Sequence, residues 1–281
     1  MANFMDILGA ATLPLWLDAT AYTARLLEGG EPPWLEVANF LAWQRKAQGL
    51  VRSDVVALPV EPVVAALLAR EPQLATAMAA KPRALFPLKT LLAEAQLREQ
   101  LGEMLAGLRA CFTGTPLALV IPSPRSWIVR SHAQALGPGK LLEVGGDDID
   151  SASMYVADFL RSFSEAGLDV LLLEEDEGAE PASLEAIEWY RPVLNVAMHY
   201  RWATGLRLPR GELGAVAVAG LDYCIAPQAL DLPTGIVTPP AFWTGAAAPA
   251  CAPGGFRHAQ IPADASPEEV LERLALLRRN E

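Results

Sequence analysis

Four consecutive acidic residues are the strongest chemical feature of the sequence. The run Glu174-Glu175-Asp176-Glu177 directly follows the apolar residues 171–173. Side chains of a strand point alternately to its two faces, so we expect alternate carboxylates to enter a site and to face the surrounding helices. Carboxylates this close disfavour simultaneous ionisation once water is excluded, which raises a pKa toward the range of acid–base catalysis. A solvated acidic loop, or ion pairing with Arg125 or Arg201, is the alternative interpretation.

A histidine and two cysteines suggest metal-ligand chemistry. His199 ends the apolar run 193–199, where an imidazole can take up a proton or bind a metal. Together with Cys224 and Cys251 it supplies ligand types that zinc accepts. No Cys-x-x-Cys or His-x-Cys pair is present, because Arg201 stands two residues after His199. Small buried apolar cysteines are the alternative.

Further candidates are polar or aromatic residues expected at strand ends. Arg125 offers a bidentate fork to a substrate carboxylate beside the ring of Trp127, with a structural salt bridge as its alternative role. The other candidates at such positions are Asp18, Tyr22, Glu61, Ser123, Glu174, Arg201, Trp202, Asp222, Tyr223, Phe242 and Trp243.

These positions assume an α/β fold in which eight apolar runs alternate with helical patterns. Eight parallel strands would close a (β/α)8 TIM barrel, whose strand carboxyl ends share one mouth. An open doubly wound sheet is the main competitor, although the Gly-x-Gly-x-x-Gly fingerprint is missing. The predicted strands are 13–18, 54–60, 83–88, 116–121, 169–174, 193–199, 215–221 and 235–238.

Helices and loops fill the intervals between these strands. Spacing of three to four predicts a helix over 97–112, and Asp150 or Ser151 caps another that runs to Gly167. Ser266 caps the final helix, with a proline and a glutamate in its first turn. Residues 137–150 and 244–262 are predicted to be loops. We expect a single domain over residues 1–281.

Composition excludes several classes of protein. With 22 basic and 33 acidic residues, the net charge of −11 opposes nucleic-acid binding. No apolar run reaches the roughly 18 residues of a membrane span, so no membrane association is expected. The absence of a recognisable secretory signal and the three separated cysteines predict a cytoplasmic location.

Four segments, in order across residues 13–240, together resemble the superfamily of uroporphyrinogen decarboxylase and cobalamin-independent methionine synthase. Leu13-Pro14-Leu15-Trp16 is similar to its Pro-Val-Trp opening, and Ser53–Pro59 to its Ser-Asp-Ile-Leu-x-x-Pro motif. Residues 163–170 resemble its "EAG-D" passage, and Gly220-Leu221-Asp222-Tyr223 its Gly-Leu-Asp-Trp segment. The resemblance implies a uroporphyrinogen decarboxylase-like (β/α)8 barrel.

The resemblance also implies roles for individual residues. Asp54 matches the catalytic aspartate by motif. Residues 17–22 replace the arginine-bearing stretch that holds porphyrin carboxylates, so a porphyrinogen is a poor substrate candidate. The zinc methyltransferases of the superfamily use a His-x-Cys pair. Here Arg201 replaces that cysteine, which leaves His199 and Cys224 as an altered metal site.

We therefore expect a small-molecule enzyme, with methyl transfer to or from a corrinoid protein as the leading hypothesis. His199 and Glu175 would act as acid, base or ligand, and Asp222 would orient His199. The expected substrate contacts are Asp18, Tyr22, Arg125, Trp127, Glu174, Arg201, Trp202 and Tyr223. Zinc, or a corrinoid supplied by a partner, is the expected cofactor. A metal-independent decarboxylase or other lyase, and a noncatalytic corrinoid- or ligand-binding protein, are the alternatives. A homodimer is also considered.

Overall fold

Eight parallel strands form the centre of the molecule in a computed structural model that describes residues 4–9, 13–137, 142–176, 187–210 and 220–279. The strands are β1 Leu15–Asp18, β2 Val56–Pro59, β3 Leu117–Pro122, β4 Val170–Glu174, β5 Ala203–Arg207, β6 Tyr223–Ala226, β7 Thr234–Val237 and β8 Phe256–Gln260. No helix within these ranges is long and apolar enough to cross a bilayer.

Helices flank the strands. They are α1 Phe4–Leu8, α2 Thr20–Leu27, α3 Val37–Val51, α4 Val60–Arg70, α5 Pro72–Met78, α6 Phe86–Leu92, α7 Ala95–Cys111, α8 Pro124–Leu136, α9 Gly146–Arg161, α10 Arg191–Tyr200 and α11 Pro267–Leu277. Leucines that recur every three to four residues bury one face of α7, as predicted. The capping box of Ser266 and Glu269 is also confirmed at the start of α11.

The strands follow the order β1-β8-β7-β6-β5-β4-β3-β2 in one curled sheet. This all-parallel order is compatible with a (β/α)8 barrel whose ladder is open between the edge strands β1 and β2. At the amino end of this seam, Asp54 N donates to Leu15 O at 3.0 Å, and Leu15 N donates to Asp54 Oδ2 at 2.8 Å. Leu17 N donates to Ser53 Oγ at 2.9 Å. Side chains thus replace part of the missing ladder.

Five predicted strands are confirmed, and two are wrong. Residues 83–88 lead into α6, because Pro87 fits the first turn of a helix. Residues 193–199 belong to α10, whose valines and leucine bury one helical face. The prediction for 215–221 lies almost entirely outside the described residues. Strands β5, β6 and β8 were missed, and β8 lies inside a predicted loop.

Helix α9 begins at Gly146, earlier than predicted. The carboxylates of Asp147 and Asp148 lie in its first turn, where their negative charges interact favourably with the positive end of the helix dipole. Gly145 N donates to Asp148 Oδ2 at 3.3 Å. Asp150 therefore lies inside the helix and does not cap it.

Aromatic rings fill the amino end of the sheet's inner face. Phe4 of α1 stacks on Tyr223 with ring centroids 3.8 Å apart and meets Phe256 edge-on at 5.2 Å. Glycines on the neighbouring strands make room for these rings. A Cβ at Gly205 would lie 2.1 Å from the Tyr223 ring, and one at Gly235 would lie 2.4 Å from the Phe256 ring. This end is therefore packed, and open space remains toward the carboxyl ends of the strands.

Candidate active site at the carboxyl ends of the strands

A cavity of about 860 Å³ opens at the carboxyl end of the sheet and extends between β1 and β2. Its volume lies in the range of small-molecule sites, and most of its wall is apolar. Polar side chains converge at the strand ends, as in a parallel barrel mouth. They are Asp18 from β1, Glu174 from β4, Arg207 from β5, and His258 and Gln260 from β8.

An ion pair lies at the centre of this polar end. Arg207 Nη1 donates to Glu174 Oε1 at 2.9 Å, across neighbouring positions of β4 and β5. Both side chains are partly buried. Among the described residues, Nη2 and Nε of Arg207 have no hydrogen-bond acceptor, so part of the guanidinium fork can still bind a ligand. Asp18 Oδ1 accepts from Thr20 N at 3.1 Å, and its other oxygen has no hydrogen-bond donor among the described residues.

His258 contributes a neutral imidazole to the cavity wall. Its side chain is buried, and its ring lies 6.1 Å from that of Trp16, centroid to centroid. Burial, and to a smaller extent the nearby charge of Arg207, lower the pKa of His258 to about 3. The ring is therefore uncharged at neutral pH. Nδ1 is buried without a partner in the described part of the chain.

Glu175 points away from the cavity, in the alternation predicted for the acidic run. Its Oε2 accepts from Ser123 Oγ at 2.9 Å and from Ser126 Oγ at 3.2 Å, and its Oε1 accepts from Tyr190 OH at 2.5 Å. Burial and the Glu175 charge raise the pKa of Tyr190 well above its ordinary value. The carboxylate is fully occupied by these donors, so it ties β4 to α8 and does not face the site.

A second group of charges lies beside the mouth. Arg130 Nη2 donates to Asp176 Oδ1 at 2.6 Å, and its Nη1 is 3.3 Å from Glu61 Oε2. Burial raises the pKa of Glu61 despite the opposing charge of Arg130. None of these three side chains lines the cavity. Glu177 lies outside the described residues.

His199 does not lie at a strand end. It is exposed in the last turn of α10, next to the Tyr200 ring at 4.9 Å. Because α10 leads into the start of β5, His199 lies at the amino ends of the strands, opposite Glu174. Asp222 is also at this end, where its Oδ2 accepts from Thr204 N at 2.8 Å. The expectation that Asp222 orients His199 at the mouth is therefore wrong.

The side chains expected to bind zinc do not fit that role. Cys224 is buried in β6 on the helix-facing side of the sheet, within the main hydrophobic cluster. Burial among these apolar side chains raises the pKa of its thiol to about 12, whereas His199 is exposed at the end of α10. Within the described residues, no three His, Cys, Asp or Glu side chains form a cluster that could hold a metal ion. Cys251 Sγ lies near Phe256 O.

Asp54 precedes β2 and lies at the amino end of the seam, hydrogen-bonded to Leu15. This position at the start of a strand, away from the mouth, makes Asp54 a seam residue. Tyr223 is likewise buried in the packed amino end, where its OH donates to Leu171 O at 3.3 Å. The expected placement of Tyr223 at the mouth is wrong, whereas Asp54, which the resemblance matches to a catalytic aspartate, precedes β2.

The other predicted substrate contacts lie outside the cavity wall. Tyr22 is buried on α2, where burial raises its pKa, and Arg125 is half-buried in the first turn of α8. Trp127 is completely buried, edge-on to Phe159. Arg201 is exposed after α10, and Trp202 is buried before β5. Asp18 and Glu174 are the predicted site residues that line the cavity.

Arg207, His258 and Gln260 were not assigned to the site from sequence. His258 and Gln260 lie in β8, where inward residues alternate with Arg257 and Ala259. That period of two was a usable signal, but the flanking Gly and Pro residues indicated a loop. No protein-family model and no curated protein matches the chain, so the resemblance rests on its short motifs.

Proposed function

We propose that this chain is a small-molecule enzyme that decarboxylates an organic acid without a metal held by its own side chains. The observation that carries the proposal is the convergence of Asp18, the Glu174–Arg207 pair and neutral His258 on one cavity at the carboxyl ends of parallel strands. Parallel barrels place their catalytic groups at this end.

Decarboxylation of a 3-oxo acid uses these groups in a simple sequence. The bond between the carboxyl carbon and the adjacent carbon breaks, its electron pair moves into the neighbouring carbonyl to form an enolate, and carbon dioxide leaves. Arg207 and an N–H of neutral His258 would donate hydrogen bonds to the enolate oxygen, which gains negative charge. A proton from solvent water, delivered through the Asp18 side chain, would then add to the carbon, with Glu174 holding Arg207 in place.

The decarboxylase branch of the resembled superfamily supports this choice over metal-dependent methyl transfer. His199 and Cys224, the residues that would bind zinc, lie away from the cavity, at the opposite end and on the outer face of the sheet. Methyl transfer with a corrinoid partner would thus need other groups. A ligand-binding protein without turnover is the remaining alternative.

The test is release of carbon dioxide from a panel of carboxyl-labelled 3-oxo acids and aromatic hydroxy acids. We expect Arg207→Met and Asp18→Asn to lower the rate of any accepted substrate by about 100-fold or more. Arg161→Met is the matched control, because Arg161 is exposed at the end of α9 and does not line the cavity. Equal rates in Arg207→Met and wild type would overturn the proposal, and saturable binding without turnover would indicate a binding protein.

A further inference from the structure

The cavity does not stop at the inner face of the sheet. Trp16, Leu172 and His258 line it from inside, whereas Phe40, Trp43 and Ala47 of α3 line it from the outer layer. Ala65, Ala66 and Ala69 of α4 line the same outer part. A single space bounded by both layers must pass between the unpaired edges of β1 and β2.

The local sequence explains why this seam stays open. Ser53 and Asp54 bridge the strands only at their amino end. In a parallel strand, one residue directs its backbone N–H and C=O to the strand on one side, and the next residue directs them to the strand on the other side. Val56 N donates to Pro116 O, so Val56 faces β3. Pro59 therefore falls at a position that would face β1, and it has no N–H to donate. The ladder cannot be completed at the carboxyl end.

Aromatic and small side chains shape the outer part for an apolar group. Trp34, Phe40 and Trp43 pack with ring centroids 5.5–6.0 Å apart and form one wall. The alanines of α4 leave space opposite this wall. The total of about 860 Å³ is several times the roughly 150 Å³ that holds a benzene ring. A small acid bound at Arg207 would leave most of this space unfilled.

We infer that the substrate is an elongated amphipathic acid, whose polar head lies at Arg207 and whose apolar body passes through the β1–β2 seam into the aromatic chamber of Trp34, Phe40 and Trp43. The position of the head rests on the proposed function. The position of the body rests on the seam and the chamber alone, so the two can be tested separately.

The probes are phenylacetate, 4-phenylbutanoate, 6-phenylhexanoate and the uncharged 6-phenylhexan-1-ol, titrated by the fluorescence of the cavity tryptophans. Burial of one methylene group corresponds to about a fourfold gain in affinity, so we expect the dissociation constant to fall at least tenfold from the shortest to the longest acid. Ala66→Leu should weaken 6-phenylhexanoate at least tenfold and leave phenylacetate within twofold. Ala65→Leu, at an exposed position, is a second chamber variant should Ala66→Leu fold poorly.

Ala42→Leu is the matched control, because Ala42 lies on α3 but is exposed and does not line the cavity. Affinities that do not change with length, or chamber variants that weaken all acids equally, would overturn the inference, as would failure of every probe to bind. If Arg207→Met has no effect on the acids while the alcohol still responds to Ala66→Leu, the proposed head site fails and the chamber stands.

Discussion

Replacing His258 by glutamine should flatten the pH dependence of folding stability in weak acid. The folded pKa of His258 is lowered to about 3, whereas an exposed histidine titrates near 6.5. Between these values the unfolded chain binds a proton that the folded chain excludes, so stability is lost as the pH falls below 6.5. Integrating from pH 7 to pH 5 gives a loss of about 2 kcal/mol from this one residue. The variant should lack this contribution.

Urea denaturation at pH 7.0 and pH 5.0, followed by circular dichroism, measures the free energies of unfolding. For each protein, the free energy of unfolding at pH 5.0 is subtracted from that at pH 7.0. This difference does not include the destabilisation from burying a glutamine, because that destabilisation is the same at both pH values. His199→Gln is the control, because His199 is exposed on α10 and should leave the change unaltered. If wild type and His258→Gln lose the same stability between pH 7 and pH 5, the imidazole is not held neutral in the cavity.

Three further substitutions test the fold around the site. Gly205→Ala should destabilise the protein by about 3 kcal/mol in urea denaturation, because its Cβ would collide with the Tyr223 ring. Gly102→Ala on α7 is the control, because its Cβ would enter open space and should not destabilise the protein. Asp54→Ala should cost about 1–2 kcal/mol through the lost seam bond but leave probe affinity unchanged, and a tenfold loss of affinity would show that Asp54 also supports the binding site. Tyr190→Phe should cost about 1–3 kcal/mol, and an unchanged melting temperature would show that Glu175 does not need this donor.

Local patterns predicted much of the fold. The leucine spacing of α7 and the capping box of Ser266 depend on neighbours within a few residues, so they can be read directly from the sequence. Strands β3 and β4, which end at Pro122 and Glu174, are continuous apolar runs, as expected for strands buried on both faces. The run 193–199 is equally apolar, but its apolar residues are buried on one face of a helix, α10.

The errors in the site follow from these element assignments. A strand over 193–199 would place His199 at the mouth, whereas the helix puts it at the opposite end. Short strands with Gly, Thr or Arg, such as β5, carry little periodic signal, so Arg207 was not found. Glu174 was found because the alternation after a clear apolar strand fixes which carboxylates face inward. The open seam depends on pairing between distant residues, which no local pattern reports.

A crystal structure of the protein with 4-phenylbutanoate bound would show whether an acid binds at Arg207 in the cavity. We expect the carboxylate within about 3.2 Å of the Arg207 guanidinium, with the phenyl ring directed toward the gap between β1 and β2. A probe bound at the amino ends of the strands, or in the cavity with its carboxylate turned away from Arg207, would contradict it.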